Sequence, residues 1–353
     1  MRRVSKILAA AGTAAALALS ATACGSTSTE SSSSSSESSK KGKGIALAYD
    51  VGGRGDQSFN DAAYAGFEKA RKDFGIGGQD VEPSDGESDA DKVQRLTELA
   101  RQGYNPVIGV GFAYAPAVEE VAEKFPKTTF GLIDDDTVKA ENVANLVFSE
   151  EQGSYLAGVA AAKATKSKVV GFVGGVEVPL IKKFEAGFVQ GVKDTDPSVK
   201  IKRQYLTQPP DMNGFSKPDL GKEAARGQLD ADADVIYHAA GLAGQGVIEA
   251  VAGQKKWVIG VDSDQYRQKT LAKYKDRILT SMTKDVSGAV YNLVKSVQDG
   301  KPLSGEVRFD LKSDGVGLSD SNPAFTKMTA VQDAVKKARE GIANGDIKVK
   351  TAP

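Results

Sequence analysis

From Lys43 onward, the chain alternates short runs rich in valine, isoleucine and aromatic residues with longer amphipathic runs. Runs of the first kind predict strands, because β-branched and aromatic side chains pack well on a pleated surface. The predicted strands are 44–49, 106–110, 128–133, 143–148, 168–173, 200–206, 235–238 and 257–261. Strands that alternate with helices favour an α/β architecture with mostly parallel sheets.

The amphipathic runs predict helices, and the clearest of them is 58–74. Its apolar side chains recur at spacings of four, four, three and four residues, which places them on one face of a helix. These side chains are Phe59, Ala63, Phe67, Ala70 and Phe74. Ser58 followed by Asp61 resembles a capping pair at the start of this helix. Further helices are predicted at 91–102 and 151–164.

These strand and helix units are too many for one comfortable sheet, so we predict two lobes with a sheet of four or five strands each. The expected N-terminal lobe is 43–148 plus 283–308, and the expected C-terminal lobe is 149–282 plus 309–350. Several segments that pass between the lobes would form a hinge. A ligand is expected in the crevice between the lobes, at the carboxyl ends of the strands.

The first residues resemble an export signal, because a basic start is followed by the apolar run 7–19 and by small residues. Cys24, the only cysteine, follows directly, where a lipoprotein signal peptidase would expose it for acylation, with palmitate among the expected lipids. Ala21 departs from the usual leucine of that cleavage motif. We therefore expect a signal peptide at 1–23, a lipid-anchored serine-rich linker at 24–42, and a location on the extracytoplasmic face of the cell membrane.

Charge and composition exclude several classes of function. The chain has 46 basic and 46 acidic residues, and no basic run alternates with aromatic residues, so nucleic acid is not an expected partner. His238 is the only histidine, so a serine–histidine–aspartate triad or a multi-histidine metal site has at most one candidate residue. We expect His238 to be a structural residue at a strand end. No cofactor, no metal and no enzymatic activity are expected.

Polar and aromatic residues collect at the ends of the predicted strands. They are Asp50, Phe59, Asn60, Asp134, Asp262, Asp264 and Lys284. Strand-end aspartates often cap the next helix, but several at one rim, together with an aromatic residue, fit a binding cleft better. A carboxylate and an ammonium group can hold vicinal sugar hydroxyls, and aromatic rings can enclose a flat base. The loop Gly52–Gly55 lacks the spacing of a phosphate-binding motif.

Six motifs, in order, resemble the basic membrane protein family of lipoproteins, which includes a bacterial purine nucleoside receptor. They are 50–60 (DVGGRGDQSFN), 151–158 (EQGSYLAG), 184–188 (FEAGF), 238–241 (HAAG), 260–265 (GVDSDQ) and 281–284 (SMTK). The likeness extends from Gly44 to about Phe309. It implies a type I periplasmic-binding-protein fold, a purine nucleoside as small-molecule ligand, an ABC transporter permease as partner, and a monomer.

The resemblance also implies roles for individual residues. Asp262 and Lys284 would hold the ribose hydroxyls, with the Gly241 backbone nearby. Phe59 would stack on one face of the base, and either Phe184 or Phe188 on the other. Hydrogen bonds to the base edges would come from Asp50, Asn60 and Asp134.

Two other functions stay open on the sequence. One is a receptor for another solute, such as a free sugar. The other is an exported nucleoside hydrolase, whose strand-end aspartates would bind calcium and activate water. The aspartate-dense N-terminal cluster that is characteristic of such hydrolases is missing, although Asp134–Asp136 could imitate part of one. A transcriptional regulator of the same two-lobed fold is disfavoured by the export signal and by the lack of a helix-turn-helix segment.

Overall fold

The computed structural model describes residues 43–353. The predicted signal peptide, Cys24 and the serine-rich linker lie outside the described residues. Within 43–353, no helix combines the length and the apolar content that a membrane crossing requires.

The described chain contains strands and helices in regular alternation. The strands are β1 Ile45–Ala48, β2 Gly78–Val81, β3 Val107–Gly109, β4 Phe130–Ile133, β5 Val143–Phe148, β6 Val169–Val176, β7 Lys200–Thr207, β8 Val235–Ala239, β9 Trp257–Asp262, β10 Ile278–Lys284, β11 Gly305–Phe309 and β12 Val316–Leu318. The α-helices are α1 Phe59–Phe74, α2 Asp89–Arg101, α3 Ala115–Lys124, α4 Glu150–Ala164, α5 Pro179–Thr195, α6 Pro218–Asp230, α7 Gly244–Gly253, α8 Val286–Gln298, α9 Pro323–Thr326 and α10 Thr329–Ala343.

The first sheet has the strand order β11-β5-β4-β3-β1-β2, and all its pairs are parallel. Alternate residues of β1 supply its two faces: Ile45 and Leu47 pack with α1 and α8, whereas Ala46 and Ala48 pack with α2 and α3. All four side chains are fully buried, as expected for a central strand covered by helices on both sides. We call this sheet with α1, α2, α3 and α8 lobe 1.

The second sheet has the strand order β12-β10-β9-β8-β6-β7, and only the β10–β12 pair is antiparallel. Its faces are covered by α4 and α5 on one side and by α6 and α7 on the other. We call this sheet with α4 to α7 lobe 2. The alternation of β-strands and helices therefore produces two doubly wound α/β lobes, as the sequence predicts.

The chain passes between the two sheets at three places, after Phe148, after Lys284 and after Phe309. These crossings are hydrogen-bonded to one another or to the chain close by. The bonds are Ser149 N to Phe309 O (3.0 Å), Asp285 N to Gly315 O (2.9 Å) and Leu311 N to Gln152 Oε1 (3.0 Å). The three crossings thus form one bundle of connecting segments.

The eight predicted strands all occur, but the expected four or five strands per sheet were wrong, since each sheet has six. Four strands were not predicted, and three of them, β2, β11 and β12, lie at sheet edges. The fourth, β10, is interior, but its sequence Ile-Leu-Thr-Ser-Met-Thr-Lys interrupts the apolar run with polar residues. An edge strand has one paired side and need not be strongly apolar, so its sequence carries a weak signal.

Candidate ligand-binding site

A cavity lies between the lobes at the carboxyl ends of the strands, and its empty volume, including the open mouth, is about 520 Å³. This is within the usual range for small-molecule sites. The lining residues from lobe 1 are Asp50, Val51, Asp56, Phe59, Asn60, Phe112 and Asp134. The other lining residues are Leu180, Ile181, Phe184, Phe215, Ala239, Ala240, Gly241, Val261, Asp262 and Lys284.

Eight of the nine ligand-binding residues predicted from the sequence line this cavity, and Phe188 is the exception. Phe188 is fully buried in the core of lobe 2, where its ring centroid is 5.3 Å from that of Tyr237 and 6.1 Å from that of Phe172. Phe184 lies one turn nearer the start of α5, which faces the cavity. The sequence did not decide between these two rings, and Phe184 is the one that lines the cavity.

The carboxyl ends of parallel strands bring the polar residues together. Asp50 follows β1 closely, Asp134 follows β4, Asp262 ends β9 and Lys284 ends β10. Asp134 and Asp262 both have left-handed backbone conformations, with φ of 68° and 62°. Aspartate tolerates this region better than most residues, but the conformation is uncommon, and at strand ends it turns the chain sharply at the cleft.

Lys284 is at the centre of the charged part of the site. Its Nζ lies 2.7 Å from each carboxylate oxygen of Asp134 and 3.3 Å from Oε1 of Glu150. These three side chains are between 1% and 5% exposed. Burial opposes the charge of the ammonium, but the carboxylates of Asp134, Glu150 and Asp262 outweigh it and raise the pKa of Lys284. Lys284 is therefore a fixed cation throughout the physiological pH range.

Aromatic rings surround the same ammonium. Its distance to the ring centroid is 4.8 Å for Phe148, 5.1 Å for Phe59 and 5.6 Å for Phe184. Each is close enough for a cation–π interaction. Because Phe59 belongs to α1 and Phe184 to α5, rings from both lobes border one small volume next to the cation.

Burial makes several carboxyl groups of the site hard to ionise. It raises the pKa of Asp50 to about 7 against the opposing Val51 N–H, and the pKa of Glu150 to about 7 against Lys284. Burial also raises the pKa of Asp262, which Lys284 and the Ser58 hydroxyl partly offset. Near neutral pH, Asp50 and Glu150 can thus be hydrogen-bond donors as well as acceptors.

The Asp262 carboxylate is held by the other lobe. Its Oδ2 accepts a hydrogen bond of 2.6 Å from the hydroxyl of Ser58, which also lies 3.1 Å from the Val261 carbonyl. Oδ1 of Asp262 has no hydrogen-bond partner among residues 43–353, so it can accept from a ligand. The predicted capping pair was wrong, because Ser58 makes no side-chain bond to its own helix.

Asp56 performs the capping that the sequence pattern assigned to Ser58. Its carboxylate accepts hydrogen bonds from the backbone amides of Ser58 (2.9 Å), Asn60 (2.8 Å) and Asp61 (3.1 Å) at the start of α1. Burial nevertheless raises its pKa to about 7, against these three donors. Asp56 is 1% exposed, so the tripeptide Arg54-Gly55-Asp56 does not present its carboxylate as an adhesion motif would.

The side chains of Asn60 and Asp50 are both oriented by backbone amides at the end of β1. Oδ1 of Asn60 accepts from the backbone amide of Asp50 (3.0 Å), and Oδ1 of Asp50 accepts from the amide of Val51 (2.8 Å). This fixes the amide of Asn60 with Nδ2 as the group left to donate. In the described part of the chain, Oδ2 of Asp50 has no hydrogen-bond donor. Both residues line the cavity, so one donor and one acceptor are available there to a ligand.

The family described as ABC transporter substrate-binding protein PnrA-like, abbreviated Bmp, matches residues 44–352. The chain belongs to the Bmp family. Its fold is accordingly the type I periplasmic-binding-protein fold, and the family resemblance found in the sequence is confirmed. As a Bmp protein it is a substrate-binding protein of an ABC transporter, which pairs with a small-molecule ligand and a permease.

Individual relatives agree with this assignment. A CD4+ T-cell-stimulating antigen of Listeria monocytogenes is 36% identical over 88% of each chain. The ABC transporter nucleoside-binding protein BmpA of Lactococcus lactis is 34% identical over 86% of this chain and 88% of its own length. A solute-binding protein of an ABC transporter system from Aeropyrum pernix has a crystal structure with a TM-score of 0.75, at 28% identity, covering 87% of this chain and 93% of that one.

Several residues of this Bmp site were missed by the sequence analysis. Glu150 follows β5 as Asp134 follows β4, so the strand-end rule that found the aspartates could have found it too. Phe112, Leu180 and Phe215 line the cavity from turns and a helix start, where no periodic pattern singles them out. Only the three-dimensional arrangement identifies these last three.

His238 is fully buried, and its Nε2 lies 3.1 Å from Oε1 of Gln265. Burial lowers the pKa of His238 to about 4, against the stabilising hydrogen bond to Gln265. The imidazole is thus neutral at physiological pH and is not among the lining residues of the cavity. This agrees with the structural role expected from the sequence.

Proposed function

We propose that this Bmp protein is the lipid-anchored extracytoplasmic receptor of an ABC importer and that it captures purine nucleosides in the cavity between its lobes. The observation that carries the proposal is that Phe59 from lobe 1 and Phe184 from lobe 2 line one cavity, which Asp262 and Lys284 also line. A flat base requires ring faces, and a ribose requires hydroxyl acceptors and donors. The cavity has both side by side.

The polar groups match a nucleoside in number and kind. Oδ1 of Asp262 can accept from a ribose hydroxyl, the Lys284 ammonium can donate to one, and the Gly241 backbone borders the same space. Nδ2 of Asn60 and Oδ2 of Asp50 can pair with an acceptor and a donor on a base edge. Asp134, which is clamped to Lys284, would complete the set of base-edge contacts.

The relatives and the chain start support the cellular part of the proposal. The Lactococcus lactis relative is named a nucleoside-binding protein, and relatives from Pyrococcus abyssi and Pyrococcus horikoshii are named lipoproteins. Acylation of Cys24 would keep the receptor beside its permease. Metabolic labelling with radioactive palmitate should mark the wild-type protein and leave Cys24→Ser unlabelled, and equal labelling of both would refute the anchor.

The geometry favours a receptor over a calcium-dependent hydrolase. The three carboxylates of the acidic run serve different partners. Asp134 binds Lys284, Asp135 accepts from the Thr137 amide (2.7 Å), and Asp136 lies 3.9 Å from a guanidinium nitrogen of Arg308. The run therefore does not converge on one cation.

Isothermal titration of inosine, guanosine, adenosine, ribose and hypoxanthine tests the proposal. We expect nucleosides to bind at least about 10-fold more tightly than either fragment, because one stacked base contributes roughly 1–3 kcal/mol. Phe184→Ala should weaken inosine binding about 10-fold or more, whereas Phe74→Ala, which removes a ring outside the cavity, should not change it. Equal affinities for ribose and inosine would instead identify a sugar receptor. Release of ribose from inosine would identify a hydrolase.

A further inference from the structure

Three hydrogen bonds join the lobes beside the cavity, and all have the same form. In each, a side chain of lobe 2 donates to a backbone carbonyl of the lobe 1 segment 55–58. The pairs are Gln245 Nε2 to Gly55 O (2.8 Å), Gln265 Nε2 to Gln57 O (3.1 Å) and Ser263 Oγ to Ser58 O (2.7 Å). A fourth bond, from the Ser58 hydroxyl to Asp262, runs in the opposite direction.

The backbone of the segment is shaped to present these carbonyls. Gly55 and Gln57 have φ of 87° and 57°, and such left-handed residues reverse the direction in which successive peptide groups point. The amides of the same two residues are satisfied inside lobe 1, because they donate to Oδ1 and Oδ2 of Asp61 at 2.9 and 3.0 Å. With its amides bonded to its own lobe, the segment directs its carbonyls at lobe 2.

The donor on the lobe 2 side is oriented just as firmly. Gln265 is fully buried, and its Oε1 accepts from the Val261 amide (3.2 Å) and faces Nε2 of His238 (3.1 Å). The carbonyl end of the side-chain amide is thereby occupied, so the NH₂ end must point to the Gln57 carbonyl. The bond across the lobes does not depend on a chance rotamer.

Ser58 connects this contact to the binding site without touching the cavity itself. Its hydroxyl is fully buried and reaches Oδ2 of Asp262 at 2.6 Å, whereas it is not among the cavity-lining residues. Because the two residues are in different lobes, this bond exists only while the lobes are in contact. Asp262 itself lines the cavity, and its Oδ1 is not used by this bond.

We propose that residues 55–58 with Gln245, Ser263 and Gln265 form an interlobe latch, and that Ser58 is a positioning residue that orients Asp262 for the ligand when the lobes close. The inference rests on the proposed nucleoside function for the identity of that ligand. Closure is then stabilised by the protein's own hydrogen bonds, so that a substantial fraction of the ligand-free protein is closed, and the ligand has to supply only the remaining difference between the open and closed states. Loss of a latch bond should increase the dissociation rate of the ligand more than it changes the association rate.

A double-mutant cycle between Ser58→Ala and Asp262→Asn tests the positioning role, with the affinity for radiolabelled inosine measured by equilibrium dialysis. We expect Ser58→Ala to weaken binding about 10-fold in the wild-type background, the size of a hydrogen bond to a charged group, and less than about two-fold beside Asp262→Asn. Ser58→Thr, which keeps the hydroxyl, should restore binding. Ser198→Ala removes a similar hydroxyl bond of 2.6 Å, to Asp196 at the surface of lobe 2, and should have no effect.

Gln245→Ala separates the latch from the positioning of Asp262. It removes one interlobe bond at an exposed position and should weaken inosine binding about two- to five-fold, both in the wild-type background and beside Asp262→Asn. The weaker binding should come from a faster dissociation rate. An unchanged dissociation rate would overturn the latch. Equal losses from Ser58→Ala in both backgrounds would overturn the positioning role.

Failure of the proposed function gives a different result. If the wild-type protein binds no nucleoside, that function falls, and small-angle X-ray scattering of the ligand-free protein still tests the latch. The pair Gln245→Ala with Ser263→Ala should then increase the radius of gyration relative to wild type and to Ser198→Ala. An unchanged radius would overturn the latch independently of any ligand.

Discussion

Replacement of Lys284 by methionine removes the only cation between two buried carboxylates while nearly preserving the length of the side chain. Asp134 and Glu150 lie 2.7 and 3.3 Å from the ammonium, and neither side chain is more than 5% exposed. Removal of one partner from a buried ion pair costs about 3–5 kcal/mol, because the remaining charge is left without compensation. We expect a loss of about this size in the free energy of unfolding at pH 8.

The loss should depend on pH in a direction that the structure fixes. Burial raises the pKa of Glu150 and Lys284 opposes this, so without Lys284 the folded-state pKa of Glu150 lies further above its unfolded value and the folded protein binds more protons than the unfolded protein. Stability then decreases as pH rises through the folded pKa and is retained below the unfolded pKa. One extra proton bound on folding changes the free energy by 1.36 kcal/mol per pH unit. The deficit of Lys284→Met should therefore be at least about 2 kcal/mol smaller at pH 5 than at pH 8.

Urea unfolding followed by circular dichroism at pH 5 and pH 8 measures both quantities without any ligand. Lys295→Met is a matched control, because Lys295 pairs with Asp299 at an exposed helix surface and its removal should change stability little at either pH. Lys284→Arg keeps the charge and should lose the pH dependence. A deficit for Lys284→Met that is equal at pH 5 and pH 8 would refute the view that this lysine neutralises buried carboxylates.

Three further outcomes follow from the described geometry. In wild type, a His238 pKa lowered to about 4 in the folded protein means that stability falls as pH drops below 6.5, the unfolded value. His238→Asn removes this effect, so the stability lost between pH 7 and pH 5 in urea unfolding should be about 2 kcal/mol smaller than in wild type. An unchanged pH profile would contradict the neutral, buried imidazole. Gly55→Ala should lower the free energy of unfolding by roughly 1–2 kcal/mol through backbone strain alone, since φ is 87° and the new Cβ would meet no atom within 4 Å. Gly227→Ala in α6, where a Cβ has similar space, should stabilise the protein. Equal thermal shifts for the two variants would refute this reasoning. Inosine monophosphate should bind at least about 10-fold more weakly than inosine in titration calorimetry, because Lys284 is the only cation that residues 43–353 contribute to the cavity lining, and it is already paired with two carboxylates. Equal binding would refute this electrostatic argument.

All central strands except β10 could be predicted from the sequence, because burial on both faces requires a continuous apolar run. Strands such as 143–148 and 235–239 have every residue buried, and the pattern of their sequences shows it. Strand β2 is half-buried along its whole length, with the sequence Gly-Gln-Asp-Val, so its position follows only from pairing with β1. Edge strands are therefore specified by their neighbours more than by their own residues.

The site shows the same distinction between local and distant information. A strand-end rule is local, and it brought Asp50, Asp134, Asp262 and Lys284 to one rim of the predicted cleft. The role of Ser58 is not local, because its partner is 204 residues away in the chain, and a serine followed three residues later by an aspartate has the appearance of an ordinary helix cap. Similarly, Phe184 and Phe188 share one helix face, so only the distance from the start of α5 separates a cavity residue from a core residue.

Lys284 also relates the binding site to the hinge. It is the last residue of β10, directly before the chain returns to lobe 1 at Asp285, and Glu150 directly follows the first crossing at Ser149. Asp134, its other partner, belongs to lobe 1. A cation fixed at two crossings moves little when the lobes rotate about them, whereas Phe184 and Asp262 move with lobe 2. In the proposed mechanism, Lys284 is thus a stationary point of the site, and closure brings the stacking ring and the carboxylate to a ligand already in contact with it.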